Sequence, residues 1–317
     1  MKNILIVKTS SLGDVIHGLP VASDIRRHFP DAHIDWVVEE PYAPLVTLHP
    51  AVRRVIPVAL RRWRRRLLMG TTWKEIGEFR RLCKSELYDA IIDIQGLVKS
   101  AVLGRAARGP HHGFDADTAR ERLTACLYDV SHHVARGQHA VPRNRALAAM
   151  TLGFRVDERV DYGIVAPRLA VPPVRHYCVL LHLTSRPEKL WSEAAWKEMV
   201  RMLAARGLDC VLPWGSEEER RRSERIAQDL ECTRVPPFQP IDRLAALLGG
   251  ATAVVGVDTG LTHLAGALGR PVVGLYCASD PELNGVYGNP RAKNLGGPGI
   301  HASPEDVLQA LEALGAF

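Results

Sequence analysis

The sequence predicts an α/β protein made of two doubly wound parallel sheets. Three observations predict this class: short β-branched runs alternate with longer amphipathic stretches, a proline-containing segment interrupts the alternation near the middle, and the alternation then restarts. The 317 residues are enough for two domains of ordinary size. Because ligands of such sheets bind beyond the carboxyl ends of the strands, we expect a site in a cleft between the domains. The expected organisation is a first domain at 1–165, a linker at 166–175, a second domain at 176–300, and a C-terminal helical segment at 301–317 that can pack back on the first domain.

Each element follows from a local pattern. Short runs rich in Val, Ile and Leu are typical of buried parallel strands and predict strands at 4–7, 34–38, 55–58, 90–94, 177–183, 208–212, 253–257 and 272–276. Amphipathic stretches predict helices at 14–28, 97–107, 192–205, 217–230 and 241–248. Ser303 followed by Pro304 is a helix start signal and predicts a last helix that reaches about residue 314.

Composition and charge limit the class of protein. Hydrophobic residues make up 46% and charged residues 24%, which is an ordinary globular balance. Residues 1–160 hold 25 Lys and Arg against 17 Asp and Glu, whereas the remainder holds 16 against 18. An excess confined to one half predicts that this half meets an anionic partner, with a solvated surface as the alternative. No apolar run has the length of a signal-peptide core or a membrane span, so we expect a cytoplasmic protein that touches a membrane surface.

The six cysteines indicate free thiols rather than disulfides or a metal centre. None of them forms a CxxC pair, and no His lies at metal-ligand spacing from one. Cys178 and Cys210 lie inside apolar runs, which predicts buried thiols in a reducing compartment. We therefore expect no metal site.

The most informative segment follows the predicted strand 253–257. Asp258, Thr259 and Gly260 lie where this strand gives way to a helix, and Gly allows a diphosphate to approach the backbone closely. The free N–H groups and the positive end of the helix then hold the anion. The alternative is that Asp258 only caps the helix.

Two further strand ends offer chemistry of the same kind. Thr184, Ser185 and Lys189 follow the strand 177–183, and hydroxyls with an ammonium group complete a diphosphate clamp. Glu217 follows the strand 208–212 and is placed to accept hydrogen bonds from ribose hydroxyls. The alternatives are a surface lysine and a carboxylate that favours a helix start.

The first domain offers a candidate base. Asp14 lies at the first strand–helix turn, where a carboxylate can act as a general base, although a helix cap explains it equally well. This turn lacks GxGxxG, which argues against a dinucleotide site. Further on, five arginines surround Trp63 at 61–66, and guanidinium groups bind carboxylates and phosphates in a bidentate way. A solvated basic face is the alternative, and no nucleic-acid module is present.

Several runs together resemble one family. KTSSLGD at 8–14, RRWR at 61–64, QGLVKS at 95–100, PWG at 213–215 and DTGLTHL at 258–264 resemble the ADP-heptose:lipopolysaccharide heptosyltransferases, glycosyltransferase family 9. The first two runs resemble its type I branch. The resemblance extends from about residue 2 to the final helix.

The resemblance implies a GT-B fold, with two Rossmann-like domains facing each other across a cleft. It implies transfer of L-glycero-D-manno-heptose from ADP-heptose to the first Kdo of Kdo2-lipid A, with inversion and without metal or other cofactor, at the cytoplasmic face of the inner membrane and with no nucleic-acid partner. Position by position, it implies that Asp14 and Lys189 are catalytic, Asp14 as the base. It implies donor binding by Thr184, Ser185, Glu217, Asp258, Thr259, Gly260, Leu261 and His263, and acceptor binding by Arg61, Arg62, Arg64, Arg65 and Arg120. Ser185 stands where the family pattern has Thr, and both residues carry a hydroxyl.

Two alternatives stay open at this level. One is a related heptosyltransferase with a different core acceptor. The other is a non-catalytic module that binds a nucleotide sugar, for which a carboxylate at position 14 would have no use.

Overall fold

The computed structural model describes residues 2–169, 176–184 and 186–317. The chain forms two compact units, Met1–Ile164 and Val165–Phe317. Residues 170–175 of the predicted linker and the predicted donor ligand Ser185 lie outside the described residues.

The first unit contains a six-stranded parallel sheet with helices connecting its strands. Its strands are β1 (Asn3–Val7), β2 (His33–Glu39), β3 (Val52–Val58), β4 (Ala90–Asp93), β5 (His111–Phe114) and β6 (Val130–His132). Its helices are α1 (Leu12–Ile16), α2 (Leu19–His28), α3 (Ala43–Val46), α4 (Leu60–Arg65), α5 (Gly70–Lys84), α6 (Val98–Gly104) and α7 (Ala140–Leu152).

The second unit also contains a six-stranded parallel sheet. Its strands are β7 (Tyr177–Leu181), β8 (Asp209–Val211), β9 (Thr233–Arg234), β10 (Ala253–Val257), β11 (Val272–Tyr276) and β12 (Ala292–Gly296). Its helices are α8 (Glu193–Ala204), α9 (Glu217–Ala227), α10 (Ile241–Gly250), α11 (Gly260–Ala267), α12 (Pro281–Asn284) and α13 (Pro304–Ala313).

Both sheets have the same strand order. The first runs β3-β2-β1-β4-β5-β6 and the second β9-β8-β7-β10-β11-β12, and every strand pair is parallel. The order reverses between β1 and β4 in one sheet and between β7 and β10 in the other. A crevice opens at such a switch point beyond the carboxyl ends of the strands, and ligands bind there. The predicted doubly wound α/β class is confirmed.

Burial explains why the central strands form. Every residue of β4, β7, β10 and β11 is buried, so their Val, Ile and Leu side chains pack against helices on both faces of the sheet. The edge strands β6, β9 and β12 are polar and partly exposed, and for that reason their sequences carry no strand pattern.

One local expectation needs correction. The single helix predicted at 14–28 is two helices, because Pro20 lacks an N–H and its ring would clash with the carbonyl of residue 16. Gly18 at the break lies against Ile94 and Trp36, where a Cβ would approach them to 3.0 Å and 3.2 Å. The C-terminal helix α13 packs on α8 and β11 inside the second unit.

Candidate functional site

At the switch point of the second sheet, a lysine and a carboxylate form an ion pair. Asp258 follows β10, and its Oδ2 accepts hydrogen bonds from Lys189 Nζ at 2.5 Å and from Ser279 Oγ at 2.5 Å. Lys189 ends a short 3-10 helix after β7, and Ser279 follows β11. Three adjacent parallel strands thus bring together side chains that are far apart in sequence.

Asp258 is held as an anion. Its burial alone would raise the pKa of the carboxyl, but hydrogen bonds from His263, Lys189 and Ser279 outweigh burial and hold the pKa well below its usual range. Asp258 does not cap α11, since the residue at the N-cap is Thr259. The carboxylate therefore orients the Lys189 ammonium, and the capping interpretation of Asp258 is wrong.

The amino end of α11 is the candidate diphosphate site. The helix begins at Gly260, and the amides of Gly260 and Leu261 come before the first amide that donates within it, that of Thr262 to the Thr259 carbonyl, as in any helix. Such N–H groups and the positive helix end favour an anion. Thr262 instead stabilises the strand–helix turn, because it is fully buried and its Oγ1 donates to the Val257 carbonyl at 2.7 Å.

The other predicted donor ligands differ in their surroundings. His263 is buried, with its Nε2 at 3.7 Å from Asp258 Oδ1. Thr184 is half-buried after β7. Glu217 is exposed at the first position of α9, where Ser216 is the cap, and it lies 3.5 Å from Arg220. The contact of Glu217 with a ribose stays a prediction.

At the switch point of the first sheet, Asp14 lies among cations. Its Oδ1 accepts a hydrogen bond from Arg120 at 2.7 Å and lies 3.8 Å from Lys8 Nζ. Its Oδ2 accepts from the Ser11 amide at 3.1 Å and the Ser11 hydroxyl at 3.0 Å. Asp14 is the third residue of α1 in a capping box with Ser11 at the cap, so it is not itself the N-cap.

These cations set the protonation of the cluster. Burial alone would raise the pKa of Asp14, but the charges of Lys8 and Arg120 outweigh burial and hold the pKa well below its usual range. Burial lowers the pKa of Lys8 to about 8, although Asp14 opposes this shift. In the absence of a ligand the carboxylate is ionised but weakly basic, because basicity falls with pKa.

Two residues outside the predicted site, Gln95 and Arg143, line a small pocket together with Lys8 and Arg120. Gln95 follows β4 and is fully buried; its Oε1 accepts from the Thr9 amide at 2.7 Å and hydroxyl at 2.8 Å. Arg143 on α7 packs its guanidinium 4.9 Å above the Phe114 ring. Within the described part of the chain, Gln95 Nε2 and Arg143 Nε are buried without a hydrogen-bond partner. The pocket has a volume of about 10 Å³, which is room for one water molecule, and a water there would satisfy these donors.

The arginine run forms α4 and divides into two roles. Arg62 donates to Glu40 and Glu75 through all three guanidinium nitrogens, at 2.8 to 3.1 Å, so it holds the local fold together. Arg62 also lines the pocket beside this helix, and its acceptor-binding role stays a prediction. Arg61, Arg64 and Arg65 are exposed. A pocket of about 470 Å³ lies beside this helix, and its lining includes Glu39, Tyr42, Arg61 and Arg65.

Among the described residues, neither the cysteines nor any cluster of metal-binding side chains forms a further site. All six cysteines are free; Cys178 and Cys210 are buried as predicted, whereas Cys126 is exposed. In that part of the chain no group of three His, Cys, Asp or Glu side chains is arranged to hold a metal ion. No described helix has both the length and the apolarity needed to span a membrane.

Two doubly wound sheets, each with a polar cluster at its switch point, define the class of the chain. The cluster of the second sheet pairs Lys189 with Asp258 beside a helix start, and the cluster of the first sheet places Asp14 between Lys8 and Arg120. The chain is a glycosyltransferase of the GT-B fold.

Comparison with known proteins gives the family. The model of glycosyltransferase family 9 (heptosyltransferase) matches residues 76–312, and the chain belongs to this family. It is 45% identical to lipopolysaccharide heptosyltransferase 1 of Escherichia coli K12, over 98% of this chain and 99% of that one. It is 46% identical to lipopolysaccharide heptosyltransferase 1 of Pseudomonas aeruginosa PAO1, over 90% of this chain and 81% of that one. The solved structure of E. coli heptosyltransferase WaaC with ADP superposes with a TM-score of 0.93 at 42% identity, covering 98% and 99% of the two chains.

Proposed function

We propose that this enzyme transfers L-glycero-D-manno-heptose from ADP-heptose, with inversion, to the first Kdo of Kdo2-lipid A. The observation that carries the proposal is the Lys189–Asp258 pair beside the open amino end of α11. The reaction takes place at the cytoplasmic face of the inner membrane. A related protein, E. coli WaaC, has been solved with ADP-2-deoxy-2-fluoro heptose, and at 41% identity and a TM-score of 0.88 it supports the choice of donor.

The donor site stabilises ADP as it leaves. When the sugar–phosphate bond breaks, negative charge grows on the diphosphate, and donors that are already oriented toward it lower the barrier. Lys189 is held in place by Asp258, and the amides at Gly260 and Leu261 are fixed by the helix. Because these groups supply positive charge, the proposal requires no metal. Thr184, Ser185 and His263 complete the donor site, and Glu217 binds the ribose.

Asp14 removes the proton from the attacking acceptor hydroxyl. Inversion requires the base and the diphosphate clamp to act from opposite sides of the sugar, and in this chain they come from different units. Asp14 is paired with Arg120 in the unliganded protein. When the carboxylate of the acceptor sugar takes over Arg120, Asp14 loses a hydrogen bond and a neighbouring positive charge, so its pKa rises and it becomes a stronger base.

The acceptor is recognised by its acidic groups. Arg120, which is half-exposed and pairs with Asp14, binds the sugar carboxylate next to Asp14. The exposed guanidiniums of Arg61, Arg64 and Arg65 fit the phosphates of lipid A.

The test is a coupled assay of ADP release with ADP-heptose and a Kdo-bearing lipid A acceptor, in the presence of EDTA. We expect turnover by the wild type, retention of turnover in EDTA, and an inverted anomeric configuration by NMR of the product. The variant Asp14→Asn tests the base. Asp31→Asn, which changes an exposed carboxylate, is its matched control. Turnover only with an acceptor that already carries heptose would contradict the acceptor assignment. A larger rise in melting temperature with NAD than with ADP would contradict the donor assignment.

A further inference from the structure

The segment that follows the arginine helix exposes large apolar side chains. Leu67, Leu68 and Met69 connect α4 to α5, and Trp73 lies in the first turn of α5. Leu68 is fully exposed, and the other three are at least half exposed. We call these four residues the Leu67–Trp73 patch. Four large apolar side chains on one short stretch mark an interaction surface rather than scattered exposure.

The patch has a defined conformation. Met69 N donates to the Arg66 carbonyl at 3.0 Å, and Thr72 Oγ1 donates to the same carbonyl at 2.8 Å. Trp73 Nε1 donates to the Leu67 carbonyl at 2.9 Å, which fixes the indole against the turn. These hydrogen bonds hold the apolar side chains outward, so no rearrangement of the turn is needed before they meet a partner.

The hairpin beneath the patch is anchored in the first unit. Trp63 on α4 is buried, donates to Glu75 at 2.6 Å, and packs edge-on against Phe79 at 6.2 Å between ring centroids. Trp63 and Phe79 belong to the same buried cluster as β1 residues Leu5 and Val7. The hairpin that carries the patch is therefore packed into the buried core of the first unit.

Positive charge surrounds the patch. Arg61, Arg64, Arg65 and Arg66 are exposed, and within the described residues none of them forms an ion pair. Arg62, by contrast, is neutralised by Glu40 and Glu75. Aliphatic side chains and a Trp next to unpaired arginines match the interface of an anionic bilayer, where headgroups attract the basic residues and the apolar tips enter the acyl boundary.

We propose that the Leu67–Trp73 patch inserts into the interface of an anionic phospholipid bilayer and thereby delivers α4 to a membrane-borne acceptor. The inference rests on the proposed function for the reason why the protein docks. Docking itself can be tested on vesicles without donor or acceptor. Each basic residue near the surface strengthens binding by about fivefold, and a buried leucine by about tenfold or more.

The experiment measures binding of the full chain to phosphatidylglycerol–phosphatidylethanolamine vesicles by co-sedimentation. We expect Leu68→Asp to weaken binding by about tenfold or more, and Leu87→Asp to leave it within twofold. Leu87 is the matched control because it is 64% exposed in the same unit and far from the arginine run in sequence. Equal losses in both variants, or unchanged binding of Leu68→Asp, would overturn the proposal.

Two readouts separate docking from catalysis and folding. Vesicles should shift the Trp emission of the wild type to the blue, and Trp73→Phe should abolish that shift while keeping most of the affinity. A shift that persists in Trp73→Phe overturns the assignment.

With a deacylated, water-soluble Kdo acceptor, Leu68→Asp should turn over like the wild type and lose activity only on vesicle-borne acceptor. A wild type that binds vesicles but is inactive on both acceptors refutes the proposed function alone. Binding that appears only when lipid A is in the vesicles refutes the bilayer as the occupant.

Discussion

Replacing Lys189 by Met tests the donor site, because it removes the ammonium charge while nearly preserving the length of the side chain. In the protein, Lys189 is 15% exposed and its Nζ lies 2.5 Å from Asp258, which is 8% exposed. Two effects follow: the diphosphate loses a charged hydrogen-bond donor, and a buried carboxylate loses its cation. The first effect concerns ADP affinity, and the second concerns the free energy of unfolding.

The two effects have different sizes. A hydrogen bond to a charged group contributes about 1.5–3 kcal/mol, which corresponds to about 10- to 150-fold weaker ADP binding. Removing one partner of a buried ion pair costs about 3–5 kcal/mol, and we expect the lower end because Ser279 and His263 still face Asp258.

The double variant Lys189→Met/Asp258→Asn separates the two effects. Its melting temperature should recover most of the loss, since no unpaired charge remains, but its ADP affinity should stay weak. Isothermal titration with ADP and thermal unfolding of the wild type and of both variants measure the two quantities. If the double variant bound ADP within twofold of the wild type, Lys189 would not contact the diphosphate, and the assignment of the donor site would fail.

Three further predictions concern the first unit. Asp14→Ala should reduce turnover by about a hundredfold or more while ADP affinity stays within a few-fold; a tenth or more of wild-type activity would rule out the base. Arg61→Ala and Arg64→Ala should raise the acceptor KM more than the donor KM, whereas Arg62→Ala, which breaks the pairs with Glu40 and Glu75, should mainly lower the melting temperature; equal KM effects would indicate a structural role for the whole run. Arg120→Ala should raise the pKa of Asp14 by about 1–3, so the loss of activity at acid pH should begin at a higher pH. An unmoved acid limb would mean that Arg120 does not control the base.

The sequence predicts the apolar, buried strands of each sheet well and the polar strands poorly. β7, β10 and β11 are buried throughout, so only apolar, mostly β-branched or leucine side chains fit there and the pattern is visible. β5 contains His111 and His112, and β12 is nowhere fully buried, so their pairing depends on neighbours that a local pattern does not report.

The candidate site could likewise be predicted only in part from the sequence. Asp14, Lys189 and Asp258 could be selected because each follows a recognisable strand or opens a helix. Their pairing could not be predicted, because Arg120 is 106 residues from Asp14 and Lys189 is 69 residues from Asp258. Whether a carboxylate near a helix start also holds a cation is decided by those tertiary contacts. Asp258 holds Lys189 and does not cap α11, whereas Asp14 pairs with cations and also completes the capping box of Ser11.

The contact between Arg120 and Asp14 also bears on hydrolysis of the nucleotide-sugar donor by water. Under the proposed function, a water molecule that enters beside a bound nucleotide sugar meets a carboxylate that already pairs with two cations and is therefore a poor base for activating it. An incoming acidic sugar would compete for Arg120 and so strengthen the base. We therefore expect the enzyme to hydrolyse its donor only slowly when no acceptor is present.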